Sequence, residues 1–427
     1  MMIVYILISF FLLLFLGTPV AFTMGLVTAG MLIINGISLE LIVQRMFSGV
    51  NDFSYLALPL FILAGNIMGK GGLTKRLIRL ANVIVGKLSG GLAMTSVVTS
   101  ALFGAISGST VATTYAVGSV MVPRMKEQKY SDSFIASIIG PAGVLGLIIP
   151  PSITMVILGI TTNISIGELF LAGFLPGILL TAIICVYVGF MSKRKGFGVI
   201  EQTEVNAKKF FVIFKEAFLP LMTPVFILVS IFSGFATATE AAVLAVIYGF
   251  VLSLFYKELN ISKFKEIMIN SAVTSATILI IISAANAFTY MLTTNRIPNM
   301  ITDFFLQYAS TPTQFLLIVS VILLILGTLT EVTSLIILLG PIFMPIAMQY
   351  GIDPIHFGMI LIMNFALANI TPPVGLSLIA GASITDRDMG IEHTFPYILH
   401  VIAILAIFVL VIIFVPSIST SVPNLFE

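Results

Sequence analysis

The chain has 427 residues, 59% of them hydrophobic and only 9% charged, with a mean hydropathy of +1.16. A soluble domain carries about 25% charged residues, so this composition excludes one and points to a helical protein that crosses a membrane many times. The net charge of +2 decides little, and a single cysteine, Cys185, excludes an intrachain disulfide.

Spanning a bilayer takes about 20 apolar residues, and apolar runs near that length follow one another along the chain. Residues 2–16 lack a preceding basic segment and read as a retained first helix rather than a signal peptide. A Gly17-Thr18-Pro19 corner joins them to 20–34. The run 55–69 is short, 92–122 has a Gly/Ser/Thr-rich middle, 131–159 contains Pro150-Pro151, and 169–191 closes the first half. The second half comprises 218–235, 241–256, 267–292, 315–348 with a polar middle, 357–380 with Pro372-Pro373, and 397–415. Residues 73–87 and 297–308 are amphipathic and read as helices lying in the interface plane. His356, His393 and His400 fall at or beyond span ends and read as interfacial. With Trp absent, any aromatic belt falls to Tyr.

The two Pro-Pro pairs are 222 residues apart. Leu-Gly-Leu-Ile-Ile-Pro-Pro-Ser at 145–152 is answered by Ala-Asn-Ile-Thr-Pro-Pro-Val-Gly at 368–375. Gly118 and Pro123 fall on Gly340 and Pro345 at the same offset. This predicts a repeat, 1–191 and 216–427, separated by a polar linker at 192–215. Proline inside a helix removes a donor and clashes with the preceding turn. In lipid the freed carbonyl needs a protein, water or ion partner. Paired broken helices in two halves point to a transporter's binding site.

Eighteen of the 20 Lys and Arg lie in five clusters, at 70–87, 124–129, 193–215, 257–265 and 387; only Arg45 and Arg296 lie elsewhere. All eighteen share one side only if 92–122 and 315–348 each enter and leave on the same face, as re-entrant hairpins. The positive-inside rule then places them in the cytoplasm and both termini outside. An odd number of crossings per half makes the two repeats inverted copies.

The hairpin tips read Ser107-Gly108-Ser109-Thr110 and Gly327-Thr328-Leu329-Thr330-Glu331. Each offers hydroxyls, carbonyls and the N-terminus of a following half-helix, which suits a carboxylate. Carbonyls at the breaks with Ser, Thr and Asn oxygens suit a small hard cation such as sodium. Glu331 is a carboxylate at membrane depth, where charge is expensive and defaults to a functional role. Asn369 directly precedes the second break. Glu240 follows Thr237 and Thr239 and reads as a helix start. No nucleophile elbow, zinc motif or phosphate loop is present. An enzyme is not expected, and transport would draw on an ion gradient or a partner.

Together the Ser-Gly-Ser hairpin, Gly-Leu-Ile-Ile-Pro-Pro-Ser, Gly-Thr-Leu-Thr-Glu and Thr-Pro-Pro-Val-Gly resemble the large membrane subunit of tripartite ATP-independent periplasmic (TRAP) transporters, over the whole chain. The resemblance implies an all-α, elevator-type importer of organic acids, coupled to sodium and needing no other cofactor, in a bacterial inner membrane. It implies two partners: a small membrane subunit of about four helices, expected as a separate chain, and a periplasmic binding protein that delivers substrate. The hairpins and broken helices would form the moving part. Carried over, Ser107, Ser109, Ser152, Glu331 and Asn369 would face substrate. Sodium would sit near Ser107, Gly146, Ile149 and Pro150, and near Gly327, Thr330, Asn369 and Thr371. The family often has Asp at the position of Glu331. The sequence leans to the sialic-acid branch, with C4-dicarboxylate import as its competitor. A stand-alone sodium/organic-anion symporter, a membrane-embedded enzyme and a passive channel are the alternatives.

Overall fold

A computed structural model describes residues 2–198 and 207–426 and is nearly all helical, with no strand among them. Residues 199–206, the middle of the expected linker, lie outside the described residues; on either side the chain is largely helical.

The first half runs α1 (Met2–Phe15), α2 (Val20–Ile34), α3 (Glu40–Ser48), a 3-10 turn at Phe53–Leu56, α4 (Ala57–Lys70) and α5 (Leu73–Val85). A hairpin follows, α6 (Gly91–Ser107) and α7 (Thr110–Glu127). Then comes a broken helix in three pieces: α8 (Asp132–Gly143), α9 (Leu145–Ile148) and α10 (Ile153–Thr162). α11 (Ile166–Lys195) closes the half. The second half runs α12 (Ala207–Phe232), α13 (Ala238–Phe255), α14 (Ile261–Thr294) and α15 (Ile297–Tyr308). Its hairpin is α16 (Pro312–Gly327) and α17 (Val332–Gln349), and its broken helix α18 (Pro354–Ala368) and α19 (Leu376–Thr385). α20 (Tyr397–Phe414) and a short α21 (Ser417–Thr420) end it.

Polar caps set many of the starts. Ser109, Ser131, Ser165, Asn260, Thr311, Glu331 and Asp353 each accept a backbone N–H from the first turn of their helix. Each such cap stabilises by about 1 kcal/mol. Thr237 and Glu240 form a reciprocal capping box on α13, the helix-start role expected of Glu240. Gly108 ends α6 at φ +61°, a conformation that favours glycine, and so turns the first hairpin.

Seven helices among the described residues are long and apolar enough to cross a bilayer, or eight with the bent pair Asp132–Ile148 and Ile153–Thr162. The expected spans 2–16, 20–34 and 357–380 are built from shorter helices. α1 and α2 have 14 and 15 residues, about 21–22 Å at 1.5 Å per residue, against about 30 Å of hydrocarbon.

The structure adds local detail to the sequence reading. α3 was not expected; it is held to α14 by Ser283 Oγ donating to Met46 O at 2.7 Å and by Arg45 lying 3.9 Å over the Tyr290 ring. α5 buries Leu73, Leu77, Ile78 and Leu80, and packs on α6 and α12. His356, in the first turn of α18, is buried in the protein, with Nδ1 2.7 Å from Ser419 Oγ, because α21 folds back over the start of α18.

The two halves exchange equivalent contacts. α19 packs on α7 and α8 of the first half, and α10 packs on α17 of the second. Gly118 on α7 faces Ile384 on α19, while Gly340 on α17 faces Thr162 on α10. Both partners of one contact are offset by 222 residues from those of the other. Each half-helix thus seats on the other half's hairpin, at a glycine that gives it room.

Candidate functional site

Each Pro-Pro break is held by its own hairpin. Ile153 N donates to Gly108 O at 3.3 Å, and Val374 N donates to Thr328 O at 3.2 Å. Both Pro-Pro bonds are cis. The freed N–H groups that follow the prolines are therefore satisfied by tip carbonyls, which ties break and tip into one unit in each half.

The two units meet at a cavity of about 910 Å³. Ser107, Ser109 and Thr110 line it from the first hairpin, Glu331 and Ser334 from the second, and Asn369 from the second break. α2, α4 and α14 form the opposite wall, with Pro19, Asn66, Thr274 and Thr277. A cavity of this size accommodates a small organic molecule, which typically needs about 300–1,000 Å³.

Ser107 is buried, with Oγ 2.8 Å from Thr113 Oγ1. Ser109 caps α7, accepting from Ala112 N at 3.5 Å. Glu331 caps α17: Oε2 accepts from Ser334 N at 3.0 Å and Ser334 Oγ at 3.3 Å, and the residue is exposed to the cavity. Asn369 is buried at the end of α18, and its carbonyl accepts from Ser377 N at 3.1 Å. Glu331 is the one charged side chain among the residues lining this cavity.

The remaining expected residues stand behind the wall. Ser152 is fully buried, makes no cap bond, and has no hydrogen-bond partner for Oγ. The hairpin tip covers it, since Gly108 packs on Pro151 and Ile153 to either side. Gly146 backs onto Ser109 O and Thr113 Oγ1, so close that a Cβ there would lie 3.1 Å from each. Pro150 is buried, and the Ile149 side chain turns away to Gly177 of α11. Gly327 packs on Ala368. Thr330 lines a separate, apolar crevice of about 560 Å³ between α1, α14, α15 and the second hairpin. Thr371 Oγ1 donates to Leu367 O at 2.7 Å.

Thr110, read as part of the first tip but not singled out, and two further lining groups that escaped the sequence reading complete the polar lining. Thr110 is buried with no partner for Oγ1. Thr274 and Thr277 are exposed on α14 and lie three residues apart, so they share a face. Hydroxyls at that spacing, in the middle of a long apolar helix, were the available signal.

No group of three His, Cys, Asp or Glu among the described residues could hold a transition metal. The oxygens gathered at the first tip are of another kind: Ser107 Oγ, Thr113 Oγ1, Ser109 O and the unpartnered Thr110 Oγ1. Neutral oxygens of this sort suit a hard cation.

These features define a helical membrane protein in which two hairpin-and-broken-helix units meet at one cavity, largely apolar with polar groups from both tips. The family model for the tripartite ATP-independent periplasmic transporter, DctM component, matches residues 7–418. The chain belongs to that family and is a TRAP transporter large membrane subunit, a permease rather than an enzyme. It is 37% identical to the C4-dicarboxylate TRAP transporter large permease DctM of Pseudomonas aeruginosa, over 89% of this chain and 88% of that one. It is 34% identical to the sialic acid TRAP transporter large permease SiaM of Vibrio cholerae, over 97% of this chain and 96% of that one. Among solved structures, the YdaH transporter of Alcanivorax borkumensis superposes with a TM-score of 0.64, covering 88% of this chain and 87% of the other at 15% identity. That likeness concerns the fold alone.

Proposed function

We propose that this permease imports an organic acid, driven by sodium, from a periplasmic binding protein, and that it works with a small membrane subunit in a bacterial inner membrane. The observation that carries the reading is the convergence of both hairpin tips, Glu331 and Asn369 on one cavity whose lining holds no basic side chain. An organic anion beside Glu331 has no cationic side chain to offset the repulsion. Coupling cations supply the missing positive charge, and the first turn of α7 supplies a dipole end. The unpartnered hydroxyls of Thr110 and Ser152, beside the first tip and break, support a sodium site there with Ser107, Gly146, Ile149 and Pro150. Gly327, Thr330, Asn369 and Thr371 would form its counterpart in the second half.

The relatives named above are permeases for a C4-dicarboxylate and for sialic acid, both organic acids, which supports that substrate class here. The exchanged contacts support inverted repeats over 1–191 and 216–427. They also join the hairpins and broken helices into one body that would move as an elevator past α2, α4 and α14. Lys70 pairs with Glu266 near one end of α14, while Arg45 stacks on Tyr290 near the other, and Arg296 directly follows that second end. This separation supports cytoplasmic basic loops and periplasmic termini.

Uptake into proteoliposomes holding this chain and its small subunit tests the reading. Sialic acid and succinate serve as probes, each with its loaded binding protein. Uptake should require an inward sodium gradient and the binding protein. Equal uptake without the binding protein would instead favour a stand-alone symporter, and uptake that never saturates would favour a channel.

A further inference from the structure

The contact between α19 and the first half is polar where its repeat-related sister is not. Ser377, fully buried on α19, donates from Oγ to Gly140 O at 2.6 Å. Its oxygen also lies 3.3 Å from Thr114 Oγ1 on α7, and its N–H holds Asn369 O at 3.1 Å. Thr114 Oγ1 in turn bonds Thr110 O at 3.0 Å, in the first turn of α7. With the Ser377 proton on Gly140 O, the single Thr114 proton is shared between Thr110 O and Ser377 Oγ, so a continuous set of polar contacts runs from the carbonyl at the second break to the tip of the first hairpin.

The backbone of α8 makes room for it. A Cβ at Gly143 would overlap Thr114 Oγ1 and lie 3.1 Å from Ser377 Oγ, and one at Gly140 would lie 2.7 Å from Ser377 O. Packing alone does not call for these hydroxyls. The residues 222 positions away from Ser377, Thr114 and Gly140 are Met155, Ile336 and Ile362, all fully buried and apolar. Burying hydroxyls stabilises little compared with apolar packing unless every one is bonded.

We propose that Ser377 is a positioning residue. Through Thr114 it fixes the first turn of α7, and through its N–H the Asn369 carbonyl, so that it sets sodium affinity at the first hairpin from the second half. Its effect on sodium rests on the sodium-coupled reading above; its effect on the geometry of the tip does not.

The test uses the full chain in lipid nanodiscs and measures hydrogen exchange of the peptide covering 107–113. Without sodium, Ser377→Ala should speed exchange there about five- to tenfold, the loss of one buried hydrogen bond, although the substitution lies on α19. Thr114→Val removes the same contact from the other side together with its bond to Thr110 O, and should speed exchange at least as much; the double variant should exceed Thr114→Val by little, as expected of a shared contact. In a titration of sodium chloride against choline chloride, the half-protecting sodium concentration should rise by a similar factor with full protection still reached. Ser377→Thr, which keeps the hydroxyl, should restore it. Unchanged exchange at 107–113 in both single variants, or faster exchange confined to α19, would overturn the proposal. If sodium protects nothing in the parent protein, the sodium-coupled reading fails, and the sodium-free arm still decides the role of Ser377.

Discussion

Glu331 carries two roles that a single substitution can separate. As a cap it needs only an acceptor for the Ser334 N–H and hydroxyl. As a cavity wall it contributes the one charge in the lining. Glu331→Gln keeps an acceptor and removes the charge, so uptake should fall about 10- to 100-fold, the scale of one hydrogen bond to a charged group, while the thermal midpoint stays unchanged. Glu331→Ala removes the cap as well and should destabilise by about 1 kcal/mol, visible in a circular dichroism melt. Near-normal transport by the Gln variant would remove Glu331 from the site. The sequence singled out Glu331 because a charge within an apolar run stands out. Ser152 was equally visible, but its burial behind the first tip could not be read from spacing. Whether a hydroxyl faces a cavity depends on which element lies over it.

At the scale of elements, the hairpins are held to their broken helices by close backbone approach. A Cβ at Gly104 on α6 would lie 2.8 Å from Gly146 Cα on α9. No flexible side chain there can yield, so Gly104→Ala should cost about 1–3 kcal/mol and lower the thermal midpoint by several degrees. Gly30→Ala, in the interior of α2 with nothing within 4 Å, is the control and should leave the midpoint unmoved or raise it slightly. Element positions were largely legible, because proline, glycine and polar caps punctuate strongly apolar runs. α3 was missed because its Glu40, Gln44 and Arg45 interrupt the apolar pattern. Only its seating on α14 shows what it packs against.

For the whole molecule, the basic loops and the offset of 222 residues both lead to the same two-half architecture. Cysteine labelling tests the resulting orientation in a Cys185→Ala background. Lys126→Cys should react only from the cytoplasm and Arg45→Cys only from the periplasm; the reverse pattern would overturn the topology. The exchange of half-helices between halves binds the two hairpin tips and their breaks into one body. A substitution on either side of that exchange is expected to be felt at both.

Composition and punctuation determined the helices, and the motifs at the hairpin tips and Pro-Pro breaks carried the resemblance to the family, because these depend on local chemistry and on the order of residues along the chain. Which groups share a cavity was decided by tertiary structure alone. Ser107, Thr277, Glu331 and Asn369 are far apart in sequence and meet only when the two halves pack on each other and against α2, α4 and α14. The tie from Ser377 through Thr114 spans 263 residues and has no local signature. It exists because α19 crosses α7 and α8 where glycine lets two backbones approach.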